Sequence, residues 1–229
     1  DGTLYWFSDA AASVDTGLWR VQGSVFVNPN EPSTRPYTFV LTGTHLLRLT
    51  GNRGTAVQAG SAGIPSGYTT ATLLVQNLEV AKTGTGAGAQ VDLTLSAVAV
   101  AGTFTLTSGV VNTDTGSGAF VLRLLGGLVT SGGSFTATSW VGFVGTTGQT
   151  LSGSAGTLPN VLVQKPGTGA ASAVVASGTP SVASLIVLDG RFDLGTGTTT
   201  VSGAVTVGGN AGGLSADRTA APEIYSTST

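Results

Sequence analysis

The chain has no cysteine, no methionine and a single histidine among 229 residues, and only 9% of its residues carry a charge. Without cysteine there is neither a disulfide framework nor a thiolate metal site, although secretion is not thereby excluded. The nine Lys and Arg stand singly along the sequence. They form no basic stripe that could release counterions from phosphates, so nucleic acid is not an expected partner. A formal net charge of −2 gives little long-range field. No apolar run approaches the roughly 18 residues of a membrane-spanning helix, so membrane insertion is not expected. Asp1 at the start and the absence of methionine are expected of a processed chain or an excised fragment.

Hydrophobic residues make up 41% of the chain, and glycine alone contributes 36 residues. Low charge with many β-branched residues is not the composition of a disordered segment. Glycine supplies tight turns, and Val and Thr suit pleated, half-buried surfaces, so the composition favours short strands over helices. Solubility then rests on hydroxyl and amide groups.

Strand-like runs bounded by turn residues recur at 71–80, 91–100, 102–107, 119–125, 134–144, 160–164, 182–188 and 198–207. Several alternate, as in Val91-Asp92-Leu93-Thr94-Leu95, which places apolar side chains on one face. Ser108-Gly109, Asp189-Gly190, Gly126-Gly127, Gly132-Gly133 and Gly208-Gly209-Asn210 stand where such runs end. The run Asn77-Leu78-Glu79-Val80-Ala81-Lys82-Thr83-Gly84-Thr85-Gly86-Ala87 returns as Asn160-Val161-Leu162-Val163-Gln164-Lys165-Pro166-Gly167-Thr168-Gly169-Ala170, from position 77 to position 160. A second pair, residues 104–112 against 185–193, lies at nearly the same offset. Self-similarity at this scale points to stacked units. The expected fold is all-β, a right-handed parallel β-helix with coils of roughly 20 residues, so that one repeat spans about four coils.

Three regions follow. Residues 1–70 concentrate Tyr5, Trp6, Phe7, Trp19, Phe26, Tyr37 and Phe39 and contain a Pro-rich loop around Pro29, Pro32 and Pro36. An aromatic N-terminal cap is expected there, because a solenoid must shield its first coil and its open strand edge; an aromatic glycan platform is the functional alternative. Residues 71–215 form the solenoid proper, and residues 216–229 read as an exit segment or linker.

Groups able to do chemistry are few. His45 sits in a strand-like run with no Ser or Asp pattern near it, which favours a structural role over that of a triad base. Asp189 and Asp193 flank Arg191 and form the best carboxylate pair, of the kind polysaccharide-cleaving enzymes need. Their counterparts in the earlier repeat are Ser108 and Asn112, however, and residues that interchange in this way are turn formers. Gly84-Thr85-Gly86-Ala87-Gly88 lacks the Lys-Ser/Thr ending and the helix of a phosphate loop. An ice-binding threonine array also fails, because counting about 20 residues from Thr103 and Thr105 reaches Arg123 and Leu125. No catalytic residue, cofactor site or metal site is expected.

Gly145-Thr146-Thr147-Gly148-Gln149-Thr150-Leu151-Ser152-Gly153, then Leu158-Pro159-Asn160-Val161-Leu162-Val163-Gln164-Lys165, resembles a pattern in large secreted and cell-surface proteins of Bacteroidota-type bacteria. There, a Gly-x-x-Gln-Thr-Leu/Ile-Ser-Gly turn precedes an Asn-Leu-x-Val-x-Lys strand, and a segment like 102–113 follows. The resemblance covers residues 70–210 and implies a β-helix at the cell surface with adhesive or structural use. The usual C-terminal sorting domain is not recognisable after Ala216. The expected function is thus that of a non-catalytic extracellular structural protein, an adhesin or stalk module or a filament subunit that self-associates end to end. The alternative is a carbohydrate-binding or polysaccharide-cleaving β-helix with surface glycans as partners, or a phage fibre segment.

Overall fold

A computed structural model of the chain describes residues 4–7, 13–14, 18–22, 25–28, 38–41, 44–59, 72–93, 97–114, 122–153, 157–165, 169–195, 198–208 and 223–225. Within them the backbone winds as an all-β parallel solenoid. Each of six turns lays one strand on each of three faces, from Leu4–Phe7, Ser13–Val14 and Leu18–Val21 in the first to Ser134–Phe135, Trp140–Phe143 and Gln149–Gly153 in the sixth. Every strand pairs in parallel with its equivalent one turn away.

Beyond the sixth turn the corner between the first and second faces flattens. Thr157–Gln164 and Ser181–Asp189 run as single long strands. Thr200–Val201 and Val205–Val207 then pair with the two halves of the second of these. The third face continues through Ala173–Gly178 and Arg191–Asp193 to Glu223–Tyr225. The segment expected as an exit or linker therefore returns at least one strand to the body of the protein.

Alternation decides what is inside. On the second face Leu73, Val98, Leu122, Val141, Val161 and Leu185 stack one upon the next, and all are buried. On the third face Leu47, Leu78, Phe104, Leu128 and Leu151 do the same. These rows belong to one continuous cluster from Val21 to Phe192. Burying each such side chain contributes about 1.5–3 kcal/mol, so the interior is the main source of stability.

Several apolar runs in the sequence hold two strands and a corner. The run 71–80 breaks at Gln76 into Thr72–Val75 and Asn77–Lys82, and 134–144 and 198–207 divide likewise. Turn length differs from the expected 20 as well: on the third face paired residues are 26 apart from Leu78 to Phe104 and 24 apart from Phe104 to Leu128. Thr105 consequently lies between Glu79 and Val129, and no threonine row forms there.

Most of the aromatic residues expected to cap the first turn lie outside the described side chains. Trp19 is described and packs against the core cluster. The proline-rich loop at 29–36 lies outside the described residues.

Candidate functional site

The two copies of the repeated segment occupy different faces. Asn77–Lys82 is a third-face strand, paired with Leu46–Gly51, whereas Asn160–Gln164 lies on the second face, paired with Trp140–Phe143. The repeat is therefore not the whole number of turns that the sequence leads one to expect. What recurs is a local unit of two stacked turns.

Each unit begins with an asparagine, Asn77 just past the bend at Gln76 and Asn160 within the long strand Thr157–Gln164. The Asn77 side chain donates to the His45 carbonyl one turn below at 3.2 Å and accepts from the Thr103 amide one turn above at 3.0 Å. Asn160 donates to the Ser139 carbonyl at 3.0 Å and accepts from the Ser184 hydroxyl at 2.6 Å. Each amide thus ties three successive turns together.

Each unit's first strand leads to a buried lysine. The Lys82 ammonium donates to the Thr50 carbonyl at 2.6 Å and to the Thr55 hydroxyl at 2.9 Å. Lys165 donates to the carbonyls of Gly145 and Thr147, both at 2.7 Å, and to Gln149 Oε1 at 2.6 Å. Gln149 is itself buried: its amide nitrogen donates to the carbonyls of Leu124 and Gly126, and its oxygen also accepts from the Gly145 amide. Gly145 and Thr147 lie between strands, where carbonyls have no regular ladder, and an ammonium with three donors satisfies several acceptors at once.

After the lysine, a short 3-10 turn follows in both copies, Gly86–Ala89 and Gly169–Ser172. The next turn then lays a bulged strand over the lysine stem. The register slips by one residue between Leu106 and Ser108 in the first copy and between Val187 and Asp189 in the second. Gly109, at φ 105°, and Gly190, at φ 81°, come next. A Cβ on Gly109 would meet Lys82 Cγ at 2.9 Å, and one on Gly190 would meet Lys165 Cβ at 3.0 Å. Only glycine suits a left-handed corner pressed so closely on a side chain.

Asp189 and Asp193 belong to this unit. Asp189 is buried at the end of its strand, and its carbonyl accepts from the Lys165 amide at 3.0 Å. Asp193 Oδ1 accepts from the Gly195 amide two residues on, at 2.9 Å. Its counterpart Asn112 does the same toward Asp114, at 3.1 Å. That bond is the turn-forming interaction of Asp and Asn. His45 is fully buried beside the corner bonded by Asn77. Among the described residues, no group of three or more His, Asp or Glu is placed to hold a metal ion.

No family model, curated protein or solved structure matches this chain.

The sequence draws attention to carboxylates and histidine and not to the recurring lysines. Their signal was present: both copies of the repeat end their strand in lysine. Burial lowers both lysines from the ordinary value of 10.5, Lys165 to about 8. Between those two pH values the unfolded chain binds more protons than the folded one, so stability rises with pH across the window. Thermal unfolding is accordingly expected to shift upward as pH rises from about 8 toward 10.5. A midpoint that falls steadily through that window would contradict it.

Proposed function

We propose that the chain is a non-catalytic extracellular structural protein. In this reading it is a right-handed β-solenoid module of a bacterial cell-surface adhesin or stalk, or the subunit of an extracellular filament. One observation carries the reading: the polar side chains that recur between the two repeat units are engaged in bonding one turn to the next. Asn77, Asn160, Lys82 and Lys165 all bond groups of neighbouring turns. An interior built that way resists shear between turns, which is what a stalk requires. Right-handed winding follows the strong preference of parallel crossovers. Aromatic residues of the first 70 positions would shield the first turn as a cap. Placement outside the cell accords with a surface that relies on hydroxyls rather than charge.

Electron micrographs of the purified protein are expected to show slender rods or fibres. Assays against polysaccharides and a glycan array are expected to detect neither cleavage nor binding. Cleavage that disappears in Asp189→Asn and Asp193→Asn, with circular dichroism unchanged, would replace the structural reading with that of a polysaccharide-cleaving enzyme. Glycan binding without cleavage would make the module a carbohydrate-binding one, and an intertwined trimer would make it a fibre segment.

A further inference from the structure

Lys82 and Lys165 are the two lysines of the sequence, and both are interior. Among the described residues the exposed positive charges are those of Arg20, Arg53 and Arg123. A guanidinium keeps its proton and is no nucleophile, whereas a lysine amine becomes one when it loses its proton. The folded chain thus holds its lysine amines entirely within the stack.

Lys82 is 3% exposed and Lys165 0%. Each is enclosed from both sides. Below, the ammonium is bonded to the preceding turn, at Thr50 for Lys82 and at Gly145, Thr147 and Gln149 for Lys165. Above, the corners at Gly109 and Gly190 press on the two stems. Those covers are pinned: the Ser108 hydroxyl donates to the Lys82 carbonyl at 2.6 Å, and the Lys165 amide donates to the Asp189 carbonyl at 3.0 Å. A reagent reaches either amine only when the enclosing turns separate.

We infer that Lys82 and Lys165 are cryptic acylation sites, closed to activated esters while the turns are stacked and holding a unit open once one of them has reacted. In the reaction the neutral amine attacks the ester carbonyl carbon, a C–N bond forms, the C–O bond to the leaving alcohol breaks, and the proton lost by nitrogen goes to that alcohol. The product keeps one N–H and no charge. It cannot serve Gly145, Thr147 and Gln149 together, and its acyl group is added volume in a closely packed interior. The inference goes beyond the structural reading: cross-linking through lysine within this sequence requires an opened unit.

The test treats the folded and the urea-unfolded protein at about pH 8 with the N-hydroxysuccinimide ester of acetic acid, and follows each lysine by peptide mass. Acetylation of both lysines is expected to be about a hundredfold slower or more in the folded protein. Burial lowers the Lys165 pKa to about 8, so protonation alone does not protect it there. Protection of less than about tenfold at either lysine would overturn the closure. Gly190→Ala is expected to speed acetylation of Lys165 and leave Lys82 protected, and Gly109→Ala to do the reverse. The lysine of the other unit reports in the same molecule whether the fold is kept. Protein acetylated at both lysines in urea and then returned to buffer is expected to unfold at lower temperature than the wild type. A wild-type midpoint in that product would overturn the second half of the inference.

Discussion

Gly126→Ala is expected to destabilise the protein by about 3 kcal/mol, near the top of the range for overpacking a close-packed interior. Gly126 does not have a left-handed backbone. Its requirement is space: a Cβ would run into the carbonyl group of Gly102 one turn below, and it would lie 2.7 Å from the Ala101 carbonyl oxygen. Both obstacles are backbone. They move only if the two turns separate, and the ladders from Val100 to Leu124 and from Phe104 to Leu128 on either side fix that separation. The Gly126 carbonyl also accepts from Gln149, so a shift there strains the polar network under Lys165. Gly86→Ala is the control. Gly86 has φ 53°, and nothing lies within 4 Å of where the alanine methyl would stand, so its cost is the left-handed strain alone, about 1–2 kcal/mol. Urea unfolding of the two variants separates the causes, and equal losses would show that turn spacing is not what Gly126 protects.

Glycine pairs marked corners correctly in the sequence, but for two physical reasons that the letters do not distinguish. Gly109, Gly133, Gly190 and Gly208 supply positive φ, while Gly126 supplies room for a neighbouring carbonyl. Strands were readable because Val91-Asp92-Leu93 and similar runs alternate with period two, and their stacking because a segment of the chain repeats. Corners within those runs were not. At Gln76 the chain changes face between Val75 and Leu78, both buried, so the apolar pattern passes through the bend with little interruption. Turn length was equally hidden, because insertions at corners alter the spacing without disturbing the inward rows. The self-similarity of 77–87 and 160–170 gave the repeat, yet its displacement from the third face to the second depends on how many residues each intervening corner absorbs. Asp193 was readable as a turn former because Asn112 replaces it in the other copy. Lys82 and Lys165 were not readable as interior residues, since lysine is almost never fully buried unless its charge is met. Here neighbouring carbonyls and side-chain oxygens meet it.

Lys165→Met should show what that arrangement is worth. Methionine fills much of the channel of the lysine stem but donates nothing. The carbonyls of Gly145 and Thr147 and the Gln149 oxygen then lose the donor they share, although Gln149 retains the Gly145 amide. A buried acceptor left unmet costs about 1–3 kcal/mol. Removing the ammonium also removes its desolvation cost, which offsets part of that loss. The expected net destabilisation is about 3 kcal/mol. Lys82→Met, which frees the Thr50 carbonyl and the Thr55 hydroxyl, should lose less, about 2 kcal/mol. Chemical unfolding at neutral pH ranks the two, and a pH series adds a signature that packing alone would not give. The rise in stability between about pH 8 and 10.5 comes in the wild type from lysines whose ammonium form is disfavoured by burial, so Lys165→Met should reduce it to what Lys82 contributes. A variant as stable as the wild type at neutral pH would mean that the ammonium contributes no more than an apolar side chain of its size. The recurrence of lysine in both units would then need another cause.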